Sequence, residues 1–477
     1  MHTPDLDTQK TEHHTTADAD KIPKAQKIAY GSGEMGQIIM NNTVMHMANP
    51  VFNIGLGLSP ILVAWANSIP RLWDAFSDPM MGLISDRTRS RFGRRRPYIF
   101  LGSILSGIGF AAIWLCPRGL SEMATFGFLL AMSLLFYTAA TIFTVPYNAL
   151  GYEMTPDYHE RTRLMAHRAF FGPIGGALAS VLFWLTQRSC FIDTVHGMRY
   201  VGAATGLFIL VVTILPAIFV KEKAIAEVAE PAKKFDLIFN VKTTLSVKPY
   251  FLLISAMALI LLGLLSVIQL GFYINVYYIY GGDIRASATV LTVGGVFYQV
   301  LNLLAVYPVS KMATHFGKRK ALIFFLCLAA TGSLLGWVCM TPSAPWLQLV
   351  PMLLTAPGFA ALWMLLNSML PDICDYDELI NGERREGMFA ATTSFVGKFG
   401  MSLAGLVAGF VLVGSGFDAD LGGEQGEGVL TTIRLLYCVV PAVAILLAIF
   451  IFSKYSLTEE RAYKIRAELE NRRGKAL

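Results

Sequence analysis

The sequence lacks the patterns that mark metalloproteins, disulfide-stabilised domains and hydrolases. Its six cysteines show no CxxC spacing and lie mostly in or beside apolar runs, which excludes a zinc site and a disulfide framework. HERTR at His159 lacks the second histidine of a zinc-protease helix, and neither GxSxG nor a phosphate loop occurs. GSGEMG from Gly31 fits GxGxxG, but no strand precedes it. We therefore expect neither an enzyme nor a cofactor.

Charged residues are scarce in this chain. They make up 15% of its 477 residues, against 54% hydrophobic residues, and the mean hydropathy is +0.53. This composition is too apolar for one soluble core and is typical of a polytopic membrane protein. The apolar runs predict an all-α fold with twelve transmembrane helices. These runs cover residues 28–52, 59–85, 97–116, 125–151, 163–187, 199–220, 250–278, 286–310, 321–341, 347–370, 388–414 and 429–453.

The basic residues are distributed unevenly between the loops. Most lysines and arginines lie in alternate connections such as 86–96 and 152–162, which predicts that both termini are cytoplasmic and that the chain lies in a plasma membrane, the inner membrane of a bacterium. The same distribution explains the net charge of +6 without a nucleic-acid partner. The other loops contain only Arg118, Arg188, Arg199 and Arg285.

The two halves of the chain share motifs. RFGRRRP from Arg91 corresponds to HFGKRKA from His315, and the stretch from Glu153 pairs with the one from Ser368. Parallel six-helix repeats with a substrate site between them form the major facilitator architecture, and we expect a monomer in the lipid bilayer. The predicted parts are a disordered cytosolic N-terminus (1–27), a first bundle (28–220), a linker (221–249), a second bundle (250–453) and a cytosolic tail (454–477).

The most unusual stretch is RLWDAFSDPMMG from Arg71, which places two acids inside an apolar run. Asp74 and Asp78 are four positions apart and share a helix face, with Arg71 on the same stripe. Charge is costly in hydrocarbon, so such residues face a cavity or a partner. Two acids this close are suited to holding Na⁺ or sharing a proton. The alternative is an ion-pair network with Arg71 and Lys398 that only holds helices together.

Several of these motifs resemble the family of glycoside, pentoside, hexuronide and cation symporters, which includes the melibiose permease. YGSGEMG from Tyr30 is similar to the family's YGxGDxG opening, and RLWDAFSDPMMG to its helix 2 signature. SDRTRSRFGRRRP from Ser85 resembles its first cytosolic loop. PDICDY from Pro371 and SFVGKFG from Ser394 are similar to its motifs in helices 10 and 11. The likeness covers nearly the whole chain and implies cation-coupled symport of a sugar or glycoside by alternating access.

The resemblance also implies roles for individual residues. The implied cation site, for Na⁺ or H⁺, consists of Asp74, Asp78, Thr141 and Lys398. In the implied sugar site the residues that match the melibiose permease are Arg168 and Trp363, and those that depart from it are Gln37, Ile38, Thr144 and Asn148. We expect further substrate contacts from Glu34, Thr144, Asn148, Thr393 and Ser394. The expected gating residues are Arg71, Arg94, Arg95 and Arg96.

Three questions about the substrate stay open at this point. Glu34 is either a substrate or gating contact or part of a helix N-terminal cap. Because Ile38 and Thr144 are neutral, we expect Arg168 to be free, so the substrate is either a saccharide with an acidic group, such as a uronide, or a neutral sugar hydrogen-bonded by Arg168. The alternative function is a lipid or lysolipid carrier of the same fold, but the polar residues of the expected cavity favour sugars.

Overall fold

A computed structural model describes residues 21–474, except 156, 223–242, 383–384, 419–420, 422 and 458. The described residues form thirteen long helices. They are α1 (Lys24–Ala48), α2 (Pro60–Arg87), α3 (Arg96–Ile113), α4 (Glu122–Glu153), α5 (Tyr158–Thr186), α6 (Thr194–Phe219), α7 (Lys248–Ile268), α8 (Ile284–Phe316), α9 (Lys318–Cys339), α10 (Val350–Asn381), α11 (Glu386–Gly414), α12 (Glu427–Ser453) and α13 (Glu459–Gly474).

Helices α1 to α12 correspond to the twelve predicted spans, so the all-α fold is confirmed. Ten of them are long and apolar enough to cross a membrane by composition alone. The other two, α1 and α2, are less apolar because they carry many of the polar residues of the candidate site. The predicted tail contains α13, which packs on α10 and buries Ile465 and Leu469.

Turns of π-helix extend two helices that occupy equivalent places in the halves. Asn49–Ile54 continues α1, and Ile274–Ile279 follows α7 after the short turn Leu270–Tyr273. Four other helices begin where sequence chemistry predicts, because a serine or aspartate side chain accepts a hydrogen bond from the amide three residues later and satisfies an otherwise unpaired donor. These capping residues are Ser121, Asp157, Asp193 and Asp283.

The two halves pack by the same scheme. The most extensive helix pairs of the first half are α1–α5, α1–α6, α2–α4, α3–α4 and α3–α6, and each recurs in the second half with six added to both numbers. Between the halves, α2 packs against α11 and α5 against α8, two contacts that a two-fold axis would exchange. The region between the halves is therefore bordered by pairs of pseudo-equivalent helices.

The start of α1 is fixed to α5 by a buried carboxylate. Glu160 accepts hydrogen bonds from the Ile22 amide at 2.8 Å and from Arg163 at 3.0 Å, and its oxygen lies 2.6 Å from the Lys27 ammonium. Burial alone would raise the pKa of Glu160, but these donors outweigh burial and lower the pKa. This ion pair defines the end of the bundle where the chain enters it, called here the terminal end.

Small residues permit close helix approach within the first half. A Cβ added at Gly102 of α3 would lie 2.5 Å from the Phe143 amide nitrogen of α4, a main-chain atom that cannot move aside alone. A Cβ added at Gly127 of α4 would have no atom within 4 Å.

We predict that Gly102→Ala lowers the melting temperature of the purified protein in detergent, whereas Gly127→Ala does not. Both changes gain about 1 kcal/mol of helix propensity, but overpacking at Gly102 costs about 1–3 kcal/mol. Equal melting temperatures for the two variants would show that α3 and α4 are not packed this closely.

Candidate cation and substrate site

The predicted carboxylates converge on one hydroxyl at mid-height of the bundle. Thr141 of α4 donates toward Asp78 Oδ1 at 3.0 Å and Asp74 Oδ1 at 3.4 Å. Ser77, which sequence reasoning missed, adds a second hydroxyl 3.3 Å from Thr141 Oγ1. The sequence did not indicate that Ser77 belongs to this group, because adjacent residues on a helix, such as Ser77 and Asp78, point in different directions. The structure thus gathers two carboxylates and two hydroxyls between α2 and α4.

Lys398 connects this group to the other half of the protein. Its ammonium forms an ion pair with Asp78, joining α11 to α2. Both side chains are roughly a quarter exposed, so the pair lies at the edge of a space between the halves. With both carboxyls ionised, this hydrogen-bonded group has two negative charges against the one positive charge of Lys398, so it can accept one further cation or proton.

Arg71 contacts a main-chain oxygen and an aromatic ring instead of pairing with the aspartates. Its guanidinium donates to the main-chain oxygen of Asn41 at 2.7 Å and lies over the Tyr137 ring, 5.2 Å from its centroid. In the described part of the chain it forms no ion pair with Asp74 or Asp78. A direct ion pair of Arg71 with the aspartates, as the alternative network would have it, is therefore not seen in the described residues, although the charge of Arg71 still acts on Asp74 over a longer distance.

The donor set suits a hard monovalent cation or a proton. Its atoms are carboxylate and hydroxyl oxygens, the ligands that hard cations prefer. Among the described residues, no three histidine, cysteine, aspartate or glutamate side chains lie together in a way that could hold a metal ion.

Arg168 is not free, contrary to expectation. Its Nε lies 2.5 Å from Glu34 Oε2, in a pair that joins α5 to α1, and its guanidinium faces the Tyr147 ring at 5.5 Å. Helix α1 begins at Lys24, so Glu34 is well inside the helix and the N-terminal cap interpretation is wrong. The side chains of Arg168 and Glu34 are 20% and 14% exposed, so the pair is mostly buried but not sealed from solvent.

Three side-chain amides of the first half have unused hydrogen-bonding capacity. Among the described residues, Gln37 Oε1 on α1 and Asn148 Oδ1 on α4 are buried without a hydrogen-bond partner, and so are both polar atoms of Asn67 on α2, which the sequence did not single out. Thr144 is half-buried on α4, one helical turn from Asn148. A buried amide atom without a partner carries a free-energy cost that one further hydrogen bond would remove.

The predicted substrate residues of the second half are Trp363, Thr393 and Ser394. Trp363 contacts Phe359 edge to face at 6.2 Å and lines a groove together with Thr393. The Thr393 hydroxyl already bonds the Tyr250 hydroxyl at 2.9 Å and the Phe389 oxygen at 2.8 Å. Ser394 is exposed.

The arginines expected to form a gate hold parts of the first half together. Arg94 and Arg95 both bond Glu153 of α4, at 2.7 and 2.9 Å, and Arg95 also bonds Ser85 at 2.6 Å. Arg96 donates to the Ala217 oxygen at 2.7 Å. These bonds lie within one half, so in this conformation the arginines fasten the α2–α3 loop to α4 and α6.

The halves are joined at the end opposite the terminal end. Asn49 donates to Gln269 at 2.6 Å, linking the ends of α1 and α7. Nearer the middle, Ser68 of α2 and Ser402 of α11 each donate to the other's main-chain oxygen at 2.9 Å. Gly409 of α11 brings the same two helices close. These bonds close the space between the halves at that end.

Two repeated six-helix halves around a charged central site define a membrane transporter of the major facilitator architecture. The model of the MFS/sugar transport protein family matches residues 29–459, and the chain belongs to that family. It is a transporter and not an enzyme, and it is an integral membrane protein.

Individual relatives are distant but match over nearly their full length. The inner membrane symporter YicJ of Escherichia coli strain K12 is 27% identical over 471 residues, which cover 93% of this chain and 94% of the relative. The isoprimeverose transporter of Lactiplantibacillus pentosus is 25% identical, covering 88% and 86%. The crystal structure of a D-xylose–proton symporter superimposes with a TM-score of 0.63 at 15% identity, covering 90% of this chain and 97% of that one, which establishes the shared fold.

We predict that Glu34 and Arg168 stabilise the fold as a pair. Glu34→Gln or Arg168→Gln alone leaves a partly buried charge without its partner and should cost about 1–3 kcal/mol of unfolding free energy, whereas the double variant should cost less than the sum. The measurement is a double-mutant cycle by denaturation in detergent.

The exposed pair of Arg118 and Asp193 provides the control, since such surface pairs contribute about 0–1 kcal/mol. Asp193→Asn keeps the helix cap. Strictly additive effects for Glu34 and Arg168 would contradict the pairing.

Proposed function

We propose that the protein couples transport of a sugar or glycoside to movement of Na⁺ or H⁺ by alternating access. The observation that carries the proposal is the pair Asp74 and Asp78, which share Thr141 and leave one negative charge beyond what Lys398 neutralises. Family membership and a relative named as an isoprimeverose transporter support a sugar as the substrate. The positive-inside pattern supports a plasma-membrane protein with both termini in the cytoplasm.

In this mechanism the cation sets the cost of closing the site. An empty, ionised carboxylate pair is costly to enclose in the membrane interior, whereas a loaded pair with Lys398 is neutral. Because Lys398 belongs to α11, the charge on α2 acts directly on the helix against which α2 packs. Cation binding thereby favours one arrangement of the halves over the other, which is the requirement for coupling.

The first half supplies the groups that bind hydroxyls. Gln37 and Asn148 offer unpaired amide oxygens, and Glu34 with Arg168 offers an acceptor beside a donor. Sugar hydroxyls both donate and accept hydrogen bonds and match such a set. Since Glu34 already neutralises Arg168, an acidic substrate would find no free cation at this position. We therefore propose a neutral saccharide unit in place of the uronide.

We predict that Asp78→Asn folds but loses gradient-driven accumulation of substrate, by about tenfold or more, because it removes the excess negative charge and one oxygen ligand. The measurement is uptake into proteoliposomes across a panel of neutral sugars, with either a Na⁺ or a pH gradient imposed.

Asp283→Asn is the matched control. Asp283 is an exposed acid that caps α8, and an asparagine in its place can accept the same hydrogen bond from the Ala286 amide. It should transport like wild type. Full accumulation by Asp78→Asn would show that the carboxylate pair is only structural.

A further inference from the structure

Both π-helical turns lie at the end of the bundle opposite the terminal end, called here the closed end. Asn49–Ile54 continues α1, and Ile274–Ile279 follows α7. Single π turns within α-helices are rare and frequently lie at functional sites. In the first turn Pro50 has no amide hydrogen, so one main-chain hydrogen bond is missing there. The matching helices α1 and α7 thus both depart from regular α-helix at the same end of the protein.

Two hydrogen bonds join these helix ends across the halves. Asn49 Nδ2 donates to Gln269 Oε1 at 2.6 Å, and the Tyr273 hydroxyl donates to Asn53 Oδ1 at 2.9 Å. The two residues on each side are four positions apart, so the bonds follow one another along the contact between α1 and α7. Asn53 and Tyr273 are 2% and 1% exposed. The second bond is therefore shielded from water.

The Tyr273 hydroxyl and the Asn53 amide are held in place by their surroundings. Asn53 Nδ2 donates to the Leu58 main-chain oxygen at 2.8 Å, which leaves Oδ1 for Tyr273. The Tyr273 ring packs edge to face against Phe417, with 4.9 Å between the ring centroids. Asn53 and Phe417 also line a cavity of about 270 Å³. Because residues of both halves line this cavity, the bond lies beside a space whose size depends on how the halves are arranged.

The bonds between the halves at the closed end connect neutral groups. A hydrogen bond between neutral groups has about half the strength of one that involves a charge. The arginine bonds at the terminal end, from Arg94 and Arg95 to Glu153, involve charges but stay within the first half. The bonds at the closed end can therefore break and form again without separating charges in the membrane interior, which favours a repeated movement.

We propose that the hydrogen bond between Tyr273 and Asn53 is the latch of the closed end. Together with the bond between Asn49 and Gln269, it stabilises the arrangement of the halves seen here and breaks when the site opens to the other side. The inference rests on the proposed function, because a latch has a role only in alternating access. Loss of the bond removes a stabilising contact from one arrangement and not from the other, so it shifts the equilibrium between them. Tyr273 is thus a positioning residue that acts through the arrangement of the halves.

The test measures the separation of the halves at both ends. Pairs of spin labels are attached to the full-length protein in lipid nanodiscs, without substrate, and their distances are measured by double electron–electron resonance. Leu120→Cys with Trp346→Cys, at exposed positions of the α3–α4 and α9–α10 connections, reports on the closed end. Phe92→Cys with Phe316→Cys, both exposed, reports on the terminal end.

The exposed native cysteines must first be removed, so every labelled protein also carries Cys190→Ser and Cys327→Ser. The melting temperature of each variant is measured in parallel. This confirms that distances are compared between folded proteins.

Tyr273→Phe removes the hydroxyl and keeps the ring. It should raise the ratio of open to closed molecules at the closed end about two- to tenfold, the effect expected for one neutral hydrogen bond. The distance at the terminal end should shorten in a matching fraction of molecules, because the halves move as units. Gln269→Met removes the other bond and should act in the same direction.

Tyr277→Phe is the matched control. The Tyr277 ring also packs against Phe417, at 5.1 Å between centroids, but its hydroxyl makes no hydrogen bond to any residue that the structure describes. This variant loses the same atom from a neighbouring turn and should leave both distance distributions as in the wild type.

Two results would overturn the latch. One is equal distance distributions for Tyr273→Phe and Tyr277→Phe. The other is a closed end that widens while the terminal end stays unchanged, which would indicate local loosening instead of a movement of the halves.

The wild type separates failure of the latch from failure of the proposed function. If Na⁺, a change of pH or a neutral sugar shifts the wild-type distances while Tyr273→Phe behaves as the wild type, the latch is wrong and alternating access stands. If no ligand and no variant changes the distances at either end, both the latch and alternating access fail.

Discussion

The ion pair between Asp78 and Lys398 is the interaction on which the rest of the site depends. It joins the two halves within the membrane interior, where an unbalanced charge is costly. Asp74 lies beside it with no ion pair among the described residues, and Thr141 contacts both acids. In the proposed transport cycle, a cation or proton that neutralises Asp74 changes the strength of the Asp78–Lys398 ion pair. This change couples cation binding to movement of the halves.

A symmetric scaffold carries asymmetric chemistry. Counted back from Gly93 and Gly317, which hold the same place in RFGRRRP and HFGKRKA, Asp74 and Asp78 correspond to Tyr298 and Asn302. The second half therefore repeats the helix that carries the acids without repeating the acids. Repeated packing gives the two halves one scaffold, while differences at single positions give the first half its aspartates and its ion pair of Glu34 and Arg168, and the second half Lys398.

Sequence patterns predicted the helices and the shared helix face of Asp74 and Asp78, because both depend on local information. Long apolar runs identify spans, and spacing of four residues places Asp74 and Asp78 on one face. Pairs that form between helices left no such signal. Glu34 and Arg168 are 134 positions apart, and Arg71 bonds a main-chain oxygen that no side-chain pattern reveals. The groove of the second half also arises only when three helices pack together.

The central claim is that a cation at the aspartate pair and the sugar favour the same arrangement of the halves. Its most direct test is the dissociation constant of the sugar, measured on purified wild-type protein across Na⁺ concentrations and across pH, together with the cation affinity at several sugar concentrations. Linkage requires that each ligand raise the affinity of the other by the same factor, with Asp74→Asn abolishing the effect. A sugar affinity that is independent of both Na⁺ and pH would contradict the claim.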